Sequence, residues 1–383
     1  MYAPLGPPAR QNPMQALPQE LVEFILDALR NDTRTLKSCS LTCRRWLPRS
    51  SMHLFASCTL KTAHPDHLVR IATLQSADRI RENVATLTLQ ARNSSDITVI
   101  HDLPRLLDLD IDCAGMDISM LEVLLMMPRP PPTRKIDLLR IRSGYIGLVE
   151  LVLRFCLQVD TLSVEDLRDN HINAHHLARH AVRALRLRRV PSHLLRHIAT
   201  MIEPTALEDL TIELSERFYV DNIHDAPVDD FVRSVGRRLR SYHHVDCVAG
   251  QRAAPVPAPS TLSPYATIDS VALTVNGIGD IPHSVRGQRL LAFLSFLPPG
   301  LSDFLLLYHT SARGRNLVAQ MEEVGWLPIF RALQGYSKLR ALRIGVMDGP
   351  GEWPTEHFLE NPAAQEVVSN RLSTRLRSIT TFI

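Results

Sequence analysis

Histidines 171, 175, 176 and 180 form the densest group of potential ligands in the chain. His171 and His175 are four residues apart, as are His176 and His180, so each pair would share a helical face. Zinc needs three or four converging ligands, typically with cysteine or acidic help. No glutamate stands where a HExxH helix places its general base. A solvated, histidine-rich helix is the better reading, and His243-His244 with Asp246 and Cys247 is no better supported as a metal site. Cys39 and Cys43 sit one helical turn apart, and no cysteine pair has the short spacing of a zinc finger or RING. Asp108, Asp110 and Asp112 alternate, as surface residues of a strand do. Asn276-Gly277-Ile278-Gly279-Asp280 has two glycines and no phosphate-binding lysine after it, so it reads as a turn. No G-x-S-x-G elbow is present. These residues describe a non-enzyme with no metal and no cofactor.

Composition narrows the partners. The formal charge of +3 comes from basic residues mixed with acidic ones, without a polybasic run, so nucleic-acid binding is not expected. No stretch reaches the roughly twenty apolar residues of a membrane span. The opening MYAPLGPPARQNPMQ lacks an apolar h-region, so a secretory signal is not expected. The six cysteines lie mostly among apolar residues and read as reduced, buried thiols of an intracellular protein, with cytoplasm and nucleus both open. A chain of 383 residues is long enough for two or three globular units.

Residues 1–16 are rich in proline and small polar residues and read as a disordered lead-in. Structure is expected from Leu17-Pro18, since proline suits the first turn of a helix. In the helix that follows, Leu21, Ile25 and Leu29 share a face, which Val22 and Leu26 widen and Phe24 extends. Asn31-Asp32-Thr33 reads as a stop and a new cap. A second short helix carries Leu36, Cys39 and Ser40. A third carries Cys43, Trp46 and Leu47 and is followed by Pro48, with His53-Leu54-Phe55 closing the unit. Three short helices cannot enclose this many large side chains, so some of Leu17, Pro18, Leu21, Ile25, Cys43 and Trp46 should meet either a partner or the rest of the same chain.

The string LPQELVEFILDALRNDTRTLKSCSLTCRRWLPRSSMHLF resembles the F-box of fungal proteins, particularly those of mushroom-forming fungi. Leu17-Pro18, Glu20-Leu21, Ile25, Leu36, Cys39-Ser40-Leu41, Cys43-Arg44, Trp46 and Leu54-Phe55 fall in register with it. The resemblance implies a three-helix module over residues 17–60 that docks a Skp-family adaptor and, through it, a cullin–RING ubiquitin ligase. By position, the adaptor-binding residues it implies are Leu17, Pro18, Leu21, Ile25, Leu26, Leu36, Ser40, Cys43 and Trp46.

Beyond residue 60, alternating apolar strings recur. The clearest span 84–89, 106–111, 136–141, 182–187, 207–212 and 339–344. Weaker ones lie at 155–164, 242–248, 268–275, 303–308 and 376–383. Two-residue alternation is the strand signature, and the shared form L-x-x-L-x-L is the strand part of a leucine-rich repeat. Helices are expected at 121–127, 171–181, 192–203, 228–240 and 288–297. The expected fold class is therefore α/β: an N-terminal three-helix F-box, then over 61–383 an irregular leucine-rich-repeat-like solenoid with a parallel sheet. An ordinary α/β domain with a buried parallel sheet is the competing fold. The proline- and alanine-rich stretch 250–264 reads as an exposed loop, and 348–354 as a tight loop carrying Trp353. Target-binding stations along the strand faces and that loop would be Asp108, Asp110, Arg140, Arg142, Arg186, Arg188, Glu213, Arg343 and Trp353. The expected function is the substrate-recognition subunit of an SCF-type ubiquitin ligase, holding an unidentified protein target. The alternative is an F-box-like interaction scaffold outside a ligase.

Overall fold

A computed structural model describes residues 17–61, 67–92, 94–114, 116, 134–168, 179–214, 226–246, 268–277, 283–294, 297–310, 322, 324–348 and 362–382. The lead-in 1–16, the helix expected at 121–127, His171, His175, His176, the loop at 250–264 and Trp353 lie outside them.

The chain opens with three helices, α1 (Gln19–Ala28), α2 (Thr33–Thr42) and α3 (Leu47–Phe55). Pro18 stands at the entry to α1, where a missing N–H costs nothing. Asp32 caps α2: its carboxylate accepts from the Thr35 N–H at 3.0 Å and the Thr35 hydroxyl at 2.6 Å. The third helix begins later than expected. Pro48 lies inside its first turn and His53-Leu54-Phe55 are its last residues, because proline is tolerated at a helix start.

Twelve strands follow, interleaved with helices: β1 (Ser57–Leu60), α4 (His67–Ser76), α5 (Asp78–Arg81), β2 (Thr86–Gln90), β3 (Asp108–Asp112), β4 (Arg134–Arg142), α6 (Ile146–Leu153), β5 (Cys156–Glu165), β6 (Ala181–Val190), α7 (Leu195–Met201), β7 (Asp209–Leu214), α8 (Ala226–Val235), β8 (Ser241–Asp246), β9 (Ser270–Gly277), α9 (His283–Leu294), β10 (Asp303–Thr310), α10 (Trp326–Gln334), β11 (Ala341–Asp348), α11 (Pro362–Ser369), α12 (Thr374–Ile379) and β12 (Thr380–Phe382). A single-turn 3-10 segment, Ser192–Leu194, leads into α7, and a longer one spans Ser94–Asp102. The strands form one twelve-stranded sheet whose order follows the chain from β1 to β12. The pairing of β1 with β2 and every pairing from β4 through β12 is parallel.

The expectation of a three-helix box followed by a leucine-rich-repeat-like solenoid is corrected here. The protein is an α/β fold with one continuous sheet and helices distributed along the chain. The sheet already includes β1, inside the residues assigned to the box. The strings do lie on strands, but the closing L-x-L of the pattern records only that alternate residues of a parallel strand are buried under helices. An α/β sheet demands that spacing as much as a repeat does.

By compactness the described residues fall into two units, the first comprising those up to Leu89 with Ser95–Asp108, the second Gln90–Ser94 with those from Leu109 onward. In the first, Val22, Leu26, Leu36, Cys39 and Trp46 form a buried cluster, with Leu17, Leu29 and Leu54 packed against it.

From β4 to β11, each strand buries two alternate residues, and a third apolar residue three positions before the first of them is buried as well. Examples are Ile136/Leu139/Ile141, Val159/Leu162/Val164, Val182/Leu185/Leu187, Leu207/Leu210/Ile212, Leu301/Phe304/Leu306 and Leu339/Leu342/Ile344. Register stacks them: Leu139, Leu162, Leu185 and Leu210 are consecutive partners, as are Ile141, Val164, Leu187 and Ile212. Helices pack on this side in neighbouring pairs, α6 with α7, α7 with α8, and α9 with α10. Every residue of α6 is buried, which suits its almost wholly apolar sequence IGLVELVL. Its one charge, Glu150, pairs with Arg154. The entry to each strand is fixed before the ladder begins: Glu208 N–H donates to Arg183 O, Arg240 to Glu208 O, Ser302 to Asp269 O, and Arg340 to Ser302 O. At the other end, Ser143, Asp166 and Arg189 follow three residues in mutual register and all take positive φ, 53°, 53° and 51°.

Leu185 and Arg186 are neighbours on β6 that face opposite ways, one fully buried and the other exposed. Leu185→Ala should lower unfolding free energy by roughly 2–5 kcal/mol. Arg186→Ala should stay within about 0.5 kcal/mol of wild type. Chemical denaturation with near-UV detection distinguishes the two.

Candidate interaction surfaces

The first surface is on α1, which is apolar on two sides. Val22 and Leu26 point into the core and are 0% exposed. Leu21, Phe24 and Ile25, spaced three and four apart, lie on the outer side at 49%, 72% and 39%. The nine residues proposed for adaptor binding thus divide. Leu26, Leu36 and Trp46 are core, and Leu17 packs against it. The Ser40 hydroxyl donates to Lys37 O at 2.7 Å. Pro18, Leu21, Ile25 and Cys43 are exposed. Phe24, absent from that set, is more exposed than either Leu21 or Ile25. Its helical spacing from Leu21 was the available signal.

What holds α1 in place is electrostatic as well as apolar. Arg49 of α3 donates to Asp27 of α1 through Nε and Nη2, both at 2.6 Å, and His53 Nε2 lies 2.7 Å from Asp27 Oδ1. Hydrogen bonds from Arg49, then His53, hold the Asp27 carboxyl well below the ordinary 3.8. A depressed carboxylate contributes stability above its unfolded value and loses it as pH falls through that value toward the folded one. The pair is partly exposed, with side chains at 32% and 41%, so solvent screening holds its worth to roughly 1 kcal/mol. Asp27→Asn should lower the melting temperature at neutral pH, and the gap from wild type should narrow progressively as pH falls below the ordinary 3.8 toward the folded value. Thermal melts of both proteins across that range check this.

The second surface is the side of the sheet opposite the buried triads, on β3 to β7. Strands buried on both faces read as continuous apolar runs. These strands alternate instead, and their second set of side chains is largely charged. Asp110 lies 3.5 Å from Arg140 and 3.2 Å from Arg142. Arg188 bridges Glu165 at 3.3 Å and Glu213 at 3.1 Å. Arg189 pairs with Glu165, and with Asp166 at 2.8 Å. The structure therefore brings Asp110, Arg140 and Arg142 together, and separately Arg188 with Glu213. Asp108 is half-buried on the same strand as Asp110. Arg186 and Arg343 are exposed, with no ion pair among the described residues.

Farther along, the polar side closes over. His243, on the row of Arg186 and Thr211, is buried and its Nε2 lies 2.8 Å from Thr274 Oγ1. Burial, with its neighbour His244 and with Arg186, pushes its pKa down to about 3. His244 occupies the apolar row instead. It lies 3.1 Å from the Tyr242 hydroxyl and stacks on Phe293 at 5.8 Å, and burial lowers its pKa to about 4. The two rings therefore face opposite sides of the sheet. His180 lies at an isolated bridge to Ile202, just before β6. Among the described residues no helix is long and apolar enough to cross a membrane.

The chain matches no protein-family model and no curated protein. Together with the continuous parallel sheet, this corrects the F-box resemblance and what was drawn from it: the leucine-rich-repeat assignment, the adaptor-docking box and the role as substrate receptor or F-box-like scaffold. The motif positions of the N-terminal string are accounted for largely by local structure. Leu26, Leu36, Cys39 and Trp46 build a small core, and the residues between them build its helices.

Proposed function

We propose that this is a non-enzymatic protein-binding protein that engages its partner through the outer stripe of α1. One observation carries the reading: α1 has apolar side chains on both sides, and only Val22 and Leu26 are used by the core. A helix that packs on one side alone keeps its opposite face polar. Leu21, Phe24 and Ile25 break that rule together, at adjacent positions of one face, whereas singly scattered apolar residues are normal. Covering apolar surface is worth about 25 cal/mol per Å² before association costs. An aromatic ring flanked by aliphatic side chains is the usual centre of such an interface. Asp27, clamped to α3, fixes the stripe's orientation before any partner arrives.

The test compares tagged full-length wild type with Leu21→Asp plus Phe24→Asp, after circular dichroism shows both folded. Quantitative affinity capture and light scattering should show at least one protein, or a second copy of the chain, whose association weakens by about tenfold or more, equivalent to ~1.4 kcal/mol. Identical capture profiles and identical molar mass for the two folded proteins would overturn the reading.

A further inference from the structure

One row of the open sheet side holds donors and no acid. In register it runs Arg140 (β4), Ser163 (β5), Arg186 (β6) and Thr211 (β7). The adjacent row, Arg142, Glu165, Arg188 and Glu213, alternates in sign. Its charges are consumed internally by the Asp110–Arg142 and Glu165–Arg188–Glu213 contacts. Arg140 shares Asp110 at the longer distance of 3.5 Å. Arg186 has no ion pair, and neither Ser163 nor Thr211 hydrogen-bonds through its side chain, among the described residues. On the other flank Asp209 lies one row away beside Ala184, within the fields of Arg183, Arg186 and Arg240.

We infer that this row is a binding site for a carboxylate-rich polypeptide segment lying across the strands. Strands are spaced by about 4.8 Å, so Arg140 and Arg186 stand ~10 Å apart with the Ser163 hydroxyl between them. That is the span of roughly three residues of an extended chain, which rises ~3.3 Å per residue. Guanidinium groups take carboxylates with two parallel hydrogen bonds, and the flanking hydroxyls add neutral donors. The ion-paired row alongside holds Arg142 and Arg188 on their own acids, which leaves Arg186 as the guanidinium open to the segment. Its sign is local: Asp108, Asp110 and Asp112 make the β3 edge acidic, so the segment seats over β4 to β7 and is repelled from β3. The site is independent of the α1 stripe.

Fluorescence anisotropy of the full chain with a labelled Glu/Asp-rich peptide, its Gln/Asn counterpart and its Lys counterpart tests this. Binding of the acidic peptide alone is expected, weakening as salt rises. Arg186→Glu and Arg186→Gln should weaken it by about tenfold or more. Arg238→Glu, an exposed change after α8 that matches the net charge of Arg186→Glu, should change it less than about twofold. Equal loss in Arg186→Glu and Arg238→Glu would overturn the site in favour of general charge attraction. No binding of the acidic peptide, or tighter binding of a single-stranded oligonucleotide, would overturn it as well.

Discussion

The structure depends on one constraint: each strand from β4 to β11 buries two alternate side chains on the same side of a parallel sheet. A strand has period two, so burying one side leaves the other to whatever the sequence supplies. In β4 to β7 it supplies arginine, glutamate, serine and threonine. Parallel sheets are ordinarily covered on both faces because their crossover connections place helices there. Here the helices α6 to α8 serve one side. Cross-strand ion pairs occupy the other, and opposite charges on neighbouring strands stabilise the ladder modestly. A face kept polar in this way also resists unwanted association.

The first unit follows a different rule. Its core is small, built around Val22, Leu26, Leu36, Cys39 and Trp46, and cannot use all the apolar surface of its helices. The bidentate Asp27–Arg49 contact settles which face of α1 turns inward. The Trp46 Nε1 is buried with no hydrogen-bond partner among the described residues, a cost the small core bears for the area of the indole. Polarity on the open strands and apolarity on α1 are thus both left over after the cores are satisfied, and both are the surfaces proposed for partners.

Sequence spacing showed where the strands lie, because alternating burial is a local signal. It could not show that the strands make one sheet, since β1 to β12 are joined through register, which is not local. The same limit hid the sites. Asp27 lies 22 and 26 residues from Arg49 and His53, and nothing in the spacing links them. The donor row exists only once Arg140, Ser163, Arg186 and Thr211 are placed side by side. A motif read as a docking box carried core residues and surface residues alike, and only packing separated Leu26 from Ile25. Proline misled at Pro48 because it can begin a helix as readily as end one.

One-sided burial is the claim on which the rest stands, and native-state thiol labelling measures it directly. Cysteine would replace Ser163 or Thr211 on the open side, and Val164 or Ile212 one residue further on, in a background whose exposed Cys43 is serine. The first pair should react directly from the folded state, somewhat below the rate of an unfolded thiol because both positions are half-buried, while the second pair reacts only as fast as the unit opens. Comparable rates within each neighbouring pair would contradict one-sided burial.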